Sequence, residues 1–192
     1  MNYIIYSYFD TKLGKMIAGT TEKGLCLLEF EERKNLEYNL ARLEKKHSAK
    51  LVEGKNEILE QTISEITEYF EGNLWAFTVP LDIKGTDFQK QVWNTLVKIP
   101  PGETMSYLKI AKFLNRPTSF RAVAQINANN NIAIIIPCHR VIASNGKLQG
   151  YAGGLWRKEY LLKHEKNAPK VNKNPNELDE LTHKSKLLET FF

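Results

Sequence analysis

Cysteine is scarce in this chain: only Cys26 and Cys138 occur among 192 residues. Two thiols cannot build a disulfide framework or a four-ligand zinc site, so a reducing cytoplasm is the natural setting; no cofactor is expected, and no metal-ligating residues are assigned. Long apolar runs are missing too, and nothing approaches the roughly 20 residues of a membrane span. The opening Met1-Asn-Tyr-Ile-Ile-Tyr6 has no basic stretch before an apolar core, which argues against a secretory signal. What remains, 42% hydrophobic and 26% charged residues, is ordinary for a water-soluble globular chain.

Acidic residues run short in one place. Residues 1–85 carry 11 Lys+Arg against 14 Asp+Glu, whereas residues 86–165 carry 11 against 4. The excess positive charge is confined to the second segment and suits a polyanionic partner there.

The first half reads as scaffold. Residues 3–9, 16–19 and 25–30 are rich in β-formers and are separated by turn residues, giving a three-stranded antiparallel meander. Cys26 lies in the third strand with no His or Cys nearby and is assigned to packing. Leu36, Leu40 and Leu43 mark one helix, and Ile58, Leu59, Ile63, Ile66 and Phe70 a second. Residues 72–80 read as a connection anchored by Trp75 and Phe77.

Chemistry gathers in the second half. Thr86 and Gln89 have capping-box spacing and open a helix with Phe88, Val92, Trp93, Leu96 and Val97 on its inner face. A short amphipathic helix over 104–114 and another opened by Thr118 are joined by Asn115-Arg-Pro117, the pattern of a helix-turn-helix. Small residues Ala122, Ala124 and Ala128 would let the second of these approach a groove closely. Ile132-Ala-Ile-Ile-Ile136 then reads as a buried strand stopped by Pro137. Cys138, His139 and Arg140 follow without a gap. An imidazole and a guanidinium beside a thiol favour the thiolate, which is the nucleophile. An inert core cysteine is the competing reading of that pair alone. Gln149 to Leu155 is a glycine-rich loop with one aromatic, and 156–165 a final helix. Beyond Lys166 the chain turns polar, with a weak helical stripe at Leu178, Leu181, Leu188 and Phe191.

Taken together, Ile136-Pro-Cys-His-Arg-Val141, Gly102-Glu-Thr-Met-Ser-Tyr107, Arg121-Ala-Val123, Asn130, Gly150-Tyr-Ala-Gly-Gly154 and Lys163-His-Glu165 resemble the O6-alkylguanine-DNA alkyltransferases, also called methylated-DNA–protein-cysteine methyltransferases. The resemblance spans residues 86–165. It implies an N-terminal α/β scaffold domain (1–79, ribonuclease H-like), a linker (80–85), a mainly α, winged-helix-like domain (86–165) for DNA binding and alkyl transfer, and a polar tail (166–192). Activity would be an irreversible transfer of the alkyl group from O6-alkylguanine, and from O4-alkylthymine, in a flipped-out base to Cys138. His139 would take the thiol proton, Glu165 would orient His139, Asn130 would bridge helix and active-site strand, and Tyr107 would protonate the departing base. Thr118, Ser119, Arg121, Ala122, Gln125 and Arg140 would contact DNA, with Arg121 filling the hole left by the base. Tyr107, Val141, Tyr151, Ala152 and Gly153 would line the base pocket. The partner is double-stranded DNA carrying the lesion, and the protein would act as a monomer. Two other readings stay open on the residues alone. One is a lesion-binding or regulatory helix-turn-helix protein without transfer chemistry. The other is a Cys-His hydrolase, which predicts an oxyanion hole and repeated turnover.

Overall fold

The computed structural model describes residues 2–169. They form two compact units that divide between Lys84 and Gly85.

In the first unit, β1 (Asn2–Thr11), β2 (Gly14–Thr21) and β3 (Gly24–Phe30) pair antiparallel in sequence order. The turn into β2 is tied by Thr11, whose hydroxyl accepts from the Leu13 amide and donates to the Gly14 carbonyl. After α1 (Leu36–His47), the short β4 (Ala49–Glu53) adds to the free side of β1 in parallel. The sheet is therefore four-stranded and mixed, in the order β3-β2-β1-β4, where the sequence suggested three antiparallel strands. β4 escapes a local reading because a parallel pairing has no hairpin turn to announce it, and three of its five residues are exposed. α2 (Glu57–Glu71) starts on Asn56, whose side chain accepts from the Leu59 amide, and stops at Gly72 with φ of 85°.

Every residue of β3 is buried, so this strand is covered on both faces. Ile4, Ile17, Cys26, Leu27, Leu43 and Ala49 form one cluster between sheet and α1, while α2 packs on β1, β2 and β3. Cys26 is a packing residue: its thiol donates to the Gly19 carbonyl, and burial pushes its pKa up to about 12. Pro80 to Asp82, read from sequence as linker, is strapped to β3. Leu25 N–H donates to the Pro80 carbonyl at 2.7 Å and Asp82 N–H to the Leu25 carbonyl at 2.9 Å.

The second unit is mainly helical. α3 (Asp87–Val97) carries the full capping box of Thr86 and Gln89. It buries Val92, Trp93, Thr95 and Leu96, while Phe88 and Val97 are only half-buried. Met105–Ser106 is a two-residue strand, β5, rather than the first turn of a helix, and α4 (Tyr107–Phe113) starts after it. Asn115, at φ of 56°, ends the helical turn, Pro117–Ser119 makes a 3₁₀ turn, and α5 (Phe120–Ala128) follows. β6 (Val141–Ile142) pairs parallel with β5, and α6 (Leu155–His164) runs into a 3₁₀ turn over Glu165–Asn167. The helical stripe expected at Leu178 to Phe191 lies outside the described residues.

The strap on β3 leaves no room at Gly24, where an added Cβ would meet the Pro80 carbonyl oxygen at 2.6 Å. Gly24→Ala is expected to destabilise the first unit by about 1–3 kcal/mol, the usual range for forced overpacking. Chemical denaturation of the full chain followed at Trp75 checks this, with unchanged unfolding as the contrary result.

Candidate active site

The segment before the nucleophile is buried as expected but is not a strand. Ile132, Ala133, Ile134, Ile135 and Ile136 are all at most 4% exposed, yet they fold into consecutive turns. Ile135 N–H donates to the Ala133 carbonyl at 2.8 Å across Ile134, whose φ is 70°, giving a γ-turn with a left-handed centre. Cys138 N–H donates to the Ile136 carbonyl at 2.7 Å across Pro137, at φ −80° and ψ 62°, an inverse γ-turn. A β-branched residue at positive φ costs about 1–3 kcal/mol and persists only where its surroundings impose it.

Asn130 imposes it. Its buried carboxamide accepts from the Ile132 amide at 2.9 Å and donates to the carbonyls of Ile132 at 3.1 Å and Ile136 at 2.9 Å. These are backbone groups that a neighbouring strand would otherwise satisfy, so one side chain replaces a ladder. Periodicity alone does not separate a buried strand from other buried conformations in so short an apolar run, and the sequence reads as a strand for that reason. The same Asn130 Nδ2 lies 3.2 Å from Cys138 Sγ. Asn127, one helical turn back and also buried, donates to the Cys138 carbonyl at 3.3 Å.

Cys138 thus opens a 3₁₀ turn, Cys138–Arg140, and is 7% exposed. The next two side chains turn inward to Glu165. His139 Nε2 is 2.8 Å from Glu165 Oε1. Arg140 donates through Nη2 to Oε1 at 2.8 Å and through Nε to Oε2 at 2.9 Å, and it also bonds the Ile99 carbonyl. The Gly102 amide reaches Oε2 at 3.3 Å. Arg140, expected on the DNA-contacting surface, is corrected by this geometry. It is 5% exposed, and its guanidinium forks around a buried carboxylate.

Burial alone would raise the Glu165 pKa, but His139 and Arg140 beside it hold the carboxyl well below the usual carboxylate range. Burial lowers the His139 pKa, with Glu165 opposing and Arg140 and Lys158 assisting. A neutral imidazole facing a carboxylate through Nε2 carries its proton there, so Nδ1 keeps its lone pair. That Nδ1 is buried and has no hydrogen-bond partner. The arrangement is a neutral imidazole with one free ring nitrogen, next in sequence to the cysteine.

The loop over this turn is held from below. Lys158, wholly buried, donates through Nζ to the carbonyls of Val141 at 2.6 Å, Gln149 at 2.7 Å and Gly150 at 3.4 Å. Burial lowers its pKa to about 8, although the Cys138 charge opposes the shift. Arg157 likewise fixes the Gly153 carbonyl at 2.8 Å. Tyr151 presents its ring edge-on to His139, with centroids 6.4 Å apart. The Tyr107 hydroxyl sits close to Gly150, 3.8 Å from where a Cβ would stand. Burial and the nearby Cys138 charge both raise the Tyr107 pKa, so the phenol keeps its proton. Val141 and Gly153 are buried, whereas Ala152 is exposed. On α5 and the turn before it, Thr118, Arg121, Ala122 and Gln125 are exposed and Ser119 is partly so.

Lys158 and Asn127 were missed by sequence reasoning. A lysine in a polar helix reads as solvated, and Asn127 reads as one more helical residue before the break at 129–131. The available signal was spacing: Asn127 falls on the buried side of α5 with Val123, and Asn130, also buried, follows three residues on, just past the end of the helix.

A buried cysteine beside an imidazole–carboxylate pair, on a domain that presents a helix-turn-helix, defines a protein-cysteine acceptor working next to a DNA-binding surface. Comparisons with known proteins give the class a family. Residues 87–167 match the model described as "6-O-methylguanine DNA methyltransferase, DNA binding domain", and residues 4–83 the "6-O-methylguanine DNA methyltransferase, ribonuclease-like domain". The methylated-DNA–protein-cysteine methyltransferase of Methanosarcina barkeri is 42% identical over 163 residues, covering 84% of this chain and 97% of that protein. That of Mycobacterium bovis is 51% identical over 105 residues, 55% of this chain and 64% of that protein. The crystal structure of the Mycobacterium tuberculosis O6-methylguanine methyltransferase aligns with a TM-score of 0.72 at 35% identity, covering 90% of this chain and 97% of that one. The same species' OGT in complex with DNA aligns with a TM-score of 0.72 at 37% identity, covering 86% and 95%. The chain belongs to the 6-O-methylguanine DNA methyltransferase family.

Two outcomes are expected from this geometry. His139 has a folded pKa below its unfolded value of 6.5, so on acidification the unfolded chain takes up a proton that the fold refuses. Its contribution is therefore intact at pH 7.5 and falls below pH 6.5 by up to about 1.4 kcal/mol per pH unit. The loss at Glu165 begins only lower, as pH falls through the carboxylate range. Urea unfolding at pH 7.5 and 5.5 should show a steeper loss in the parent than in His139→Gln, whereas equal slopes would contradict a neutral His139. Lys158→Met keeps the stem but leaves three carbonyls without their donor. It is expected to destabilise the second unit by about 2–4 kcal/mol in the same assay, with wild-type stability as the contrary result.

Proposed function

We infer that this protein repairs DNA by direct, irreversible transfer of an alkyl group from a damaged base to Cys138. The observation that carries the reading is the Cys138–His139–Glu165 arrangement, in which Glu165 holds the imidazole through Nε2 and leaves Nδ1 without a partner, open to accept the thiol proton.

The substrate in this reading is double-stranded DNA containing O6-alkylguanine, with O4-alkylthymine as a second lesion. Inside a stacked duplex the alkyl carbon cannot meet a thiolate in line, so the nucleotide must leave the helix. His139 takes the Cys138 proton at Nδ1, through a water molecule. The thiolate attacks the alkyl carbon, an S–C bond forms, and the C–O6 bond breaks with its electron pair on the base. Tyr107, kept protonated by its surroundings, returns a proton to the departing guanine. The thioether cannot revert, so one molecule repairs one lesion. Asn130 fixes the sulfur by fixing the turns around it. Val141, Tyr151, Ala152 and Gly153 form the base pocket, over which Lys158 holds the loop. Arg121, with Thr118, Ser119, Ala122 and Gln125, meets the duplex, and Arg121 fills the vacated place in the stack. Arg140 acts on Glu165 rather than on DNA.

At finer grain we read the first unit as ribonuclease H-like and the second as winged-helix-like, with β5 and β6 as its small sheet. The functional division is a scaffold over 1–79, a connection over 80–85 and an alkyl-transfer domain over 86–165. The protein works as a monomer in the cytoplasm, where Cys26 and Cys138 remain thiols. Among the described residues, no helix is long and apolar enough to cross a membrane.

Duplex DNA with O6-methylguanine labelled in its methyl group tests the reading. Label should accumulate on Cys138 and saturate at about one equivalent, and Cys138→Ser should take up none. Repeated turnover, or labelling of Cys138→Ser, would overturn it.

A further inference from the structure

α5 buries Val123, Ile126 and Asn127 and turns Arg121, Ala122, Gln125 and Ala128 outward. Phe120 opens this helix in the row of Val123 and Asn127, yet at the helix start 41% of its surface stays exposed. A phenylalanine so placed contributes little to the core. Phe113, at the end of α4, is 62% exposed, so the helix-turn-helix shows two rings to solvent. The helix-turn-helix that carries Phe120 is cationic. The Arg121 guanidinium lies over its ring, 5.6 Å from the centroid, and Lys109, Lys112 and Arg116 are exposed on the preceding helix and turn. The ligand that combines dense negative charge outside with stacked flat rings inside is a nucleic acid duplex.

We propose that Phe120 is a DNA-contacting wedge: its ring stacks against the base pair beside the extruded nucleotide while Arg121 occupies the vacancy. Apolar side chains inserted at a base step unstack and open it, and the cost is offset by added contact. Phe120 is the ring placed for this, adjoining Arg121 in sequence and in contact with it. The pairing also restrains the guanidinium before DNA arrives, since a cation over a ring is held there. The proposal rests on the reading of α5 as the helix that meets DNA.

The full chain carrying Phe120→Ala or Phe120→Trp tests it. One measurement uses Cys138→Ser backgrounds and a duplex with 2-aminopurine next to O6-methylguanine, whose fluorescence rises on unstacking. The other is the single-turnover rate with Cys138 intact, on the same duplex and on free O6-benzylguanine. Phe120→Ala is expected to weaken unstacking and to slow duplex transfer about tenfold more than transfer from the free base, within the range of a lost base–aromatic stack. Phe120→Trp is expected to recover both. Duplex transfer and unstacking at parental levels in Phe120→Ala would overturn the wedge, as would equal losses with duplex and free base. A parent that unstacks the duplex through Phe120 but never labels Cys138 would leave the wedge standing and defeat the transfer reading instead.

Discussion

The second unit depends on one buried carboxylate. Glu165 receives four bonds: from His139, twice from Arg140, and from the Gly102 amide. A buried charge is tolerated only when it is paired and hydrogen-bonded, and this one is saturated. It ties the end of α6, the turn after α3 and the Cys138–Arg140 turn to a single point. The same negative charge selects the tautomer of His139, so the group that holds the domain together also sets which ring nitrogen is free. Gly102, at φ of 77°, has no room for a side chain there, since a Cβ would stand 2.8 Å from the Glu165 carbonyl.

Around that point the nucleophile is held by side chains acting as backbone. Asn130 takes the place of a neighbouring strand for Ile132 and Ile136, and Asn127 donates to the Cys138 carbonyl. Lys158 gathers three carbonyls of the loop that covers the turn. Such a site is stiff without regular secondary structure, and stiffness is what a displacement with strict in-line geometry requires. A left-handed Ile134 in the middle of the run is part of that arrangement, imposed by the bonds on either side of it.

Much of the two-domain layout was legible because it rests on local signals. The capping box at Thr86, the meander of β1 to β3, and the amphipathic stripes of α1 and α2 each need only a few consecutive residues. β4 was not legible, since its partner β1 lies more than 40 residues away and its own pattern is weak. Residues 132–136 show the opposite error. Their burial was plain from composition, but whether such a run becomes a strand depends on what satisfies its amides, and here that is a side chain. The family resemblance put Arg140 at the DNA. Its inward turn is decided by a carboxylate 25 residues later in the chain.

By itself the sequence determined which reactive groups stand together in the chain: a thiol and an imidazole side by side, with a basic segment and a helix-turn-helix upstream of them. Side-chain chemistry and short-range periodicity are written locally, so they can be read locally. Only the tertiary structure decided how those groups are used. The proton on His139, the inward fork of Arg140, the burial of Lys158 and the turns beneath Cys138 all follow from partners distant in sequence. Desolvation and hydrogen-bond completion act on the assembled interior, and no stretch of the chain contains that interior before it folds.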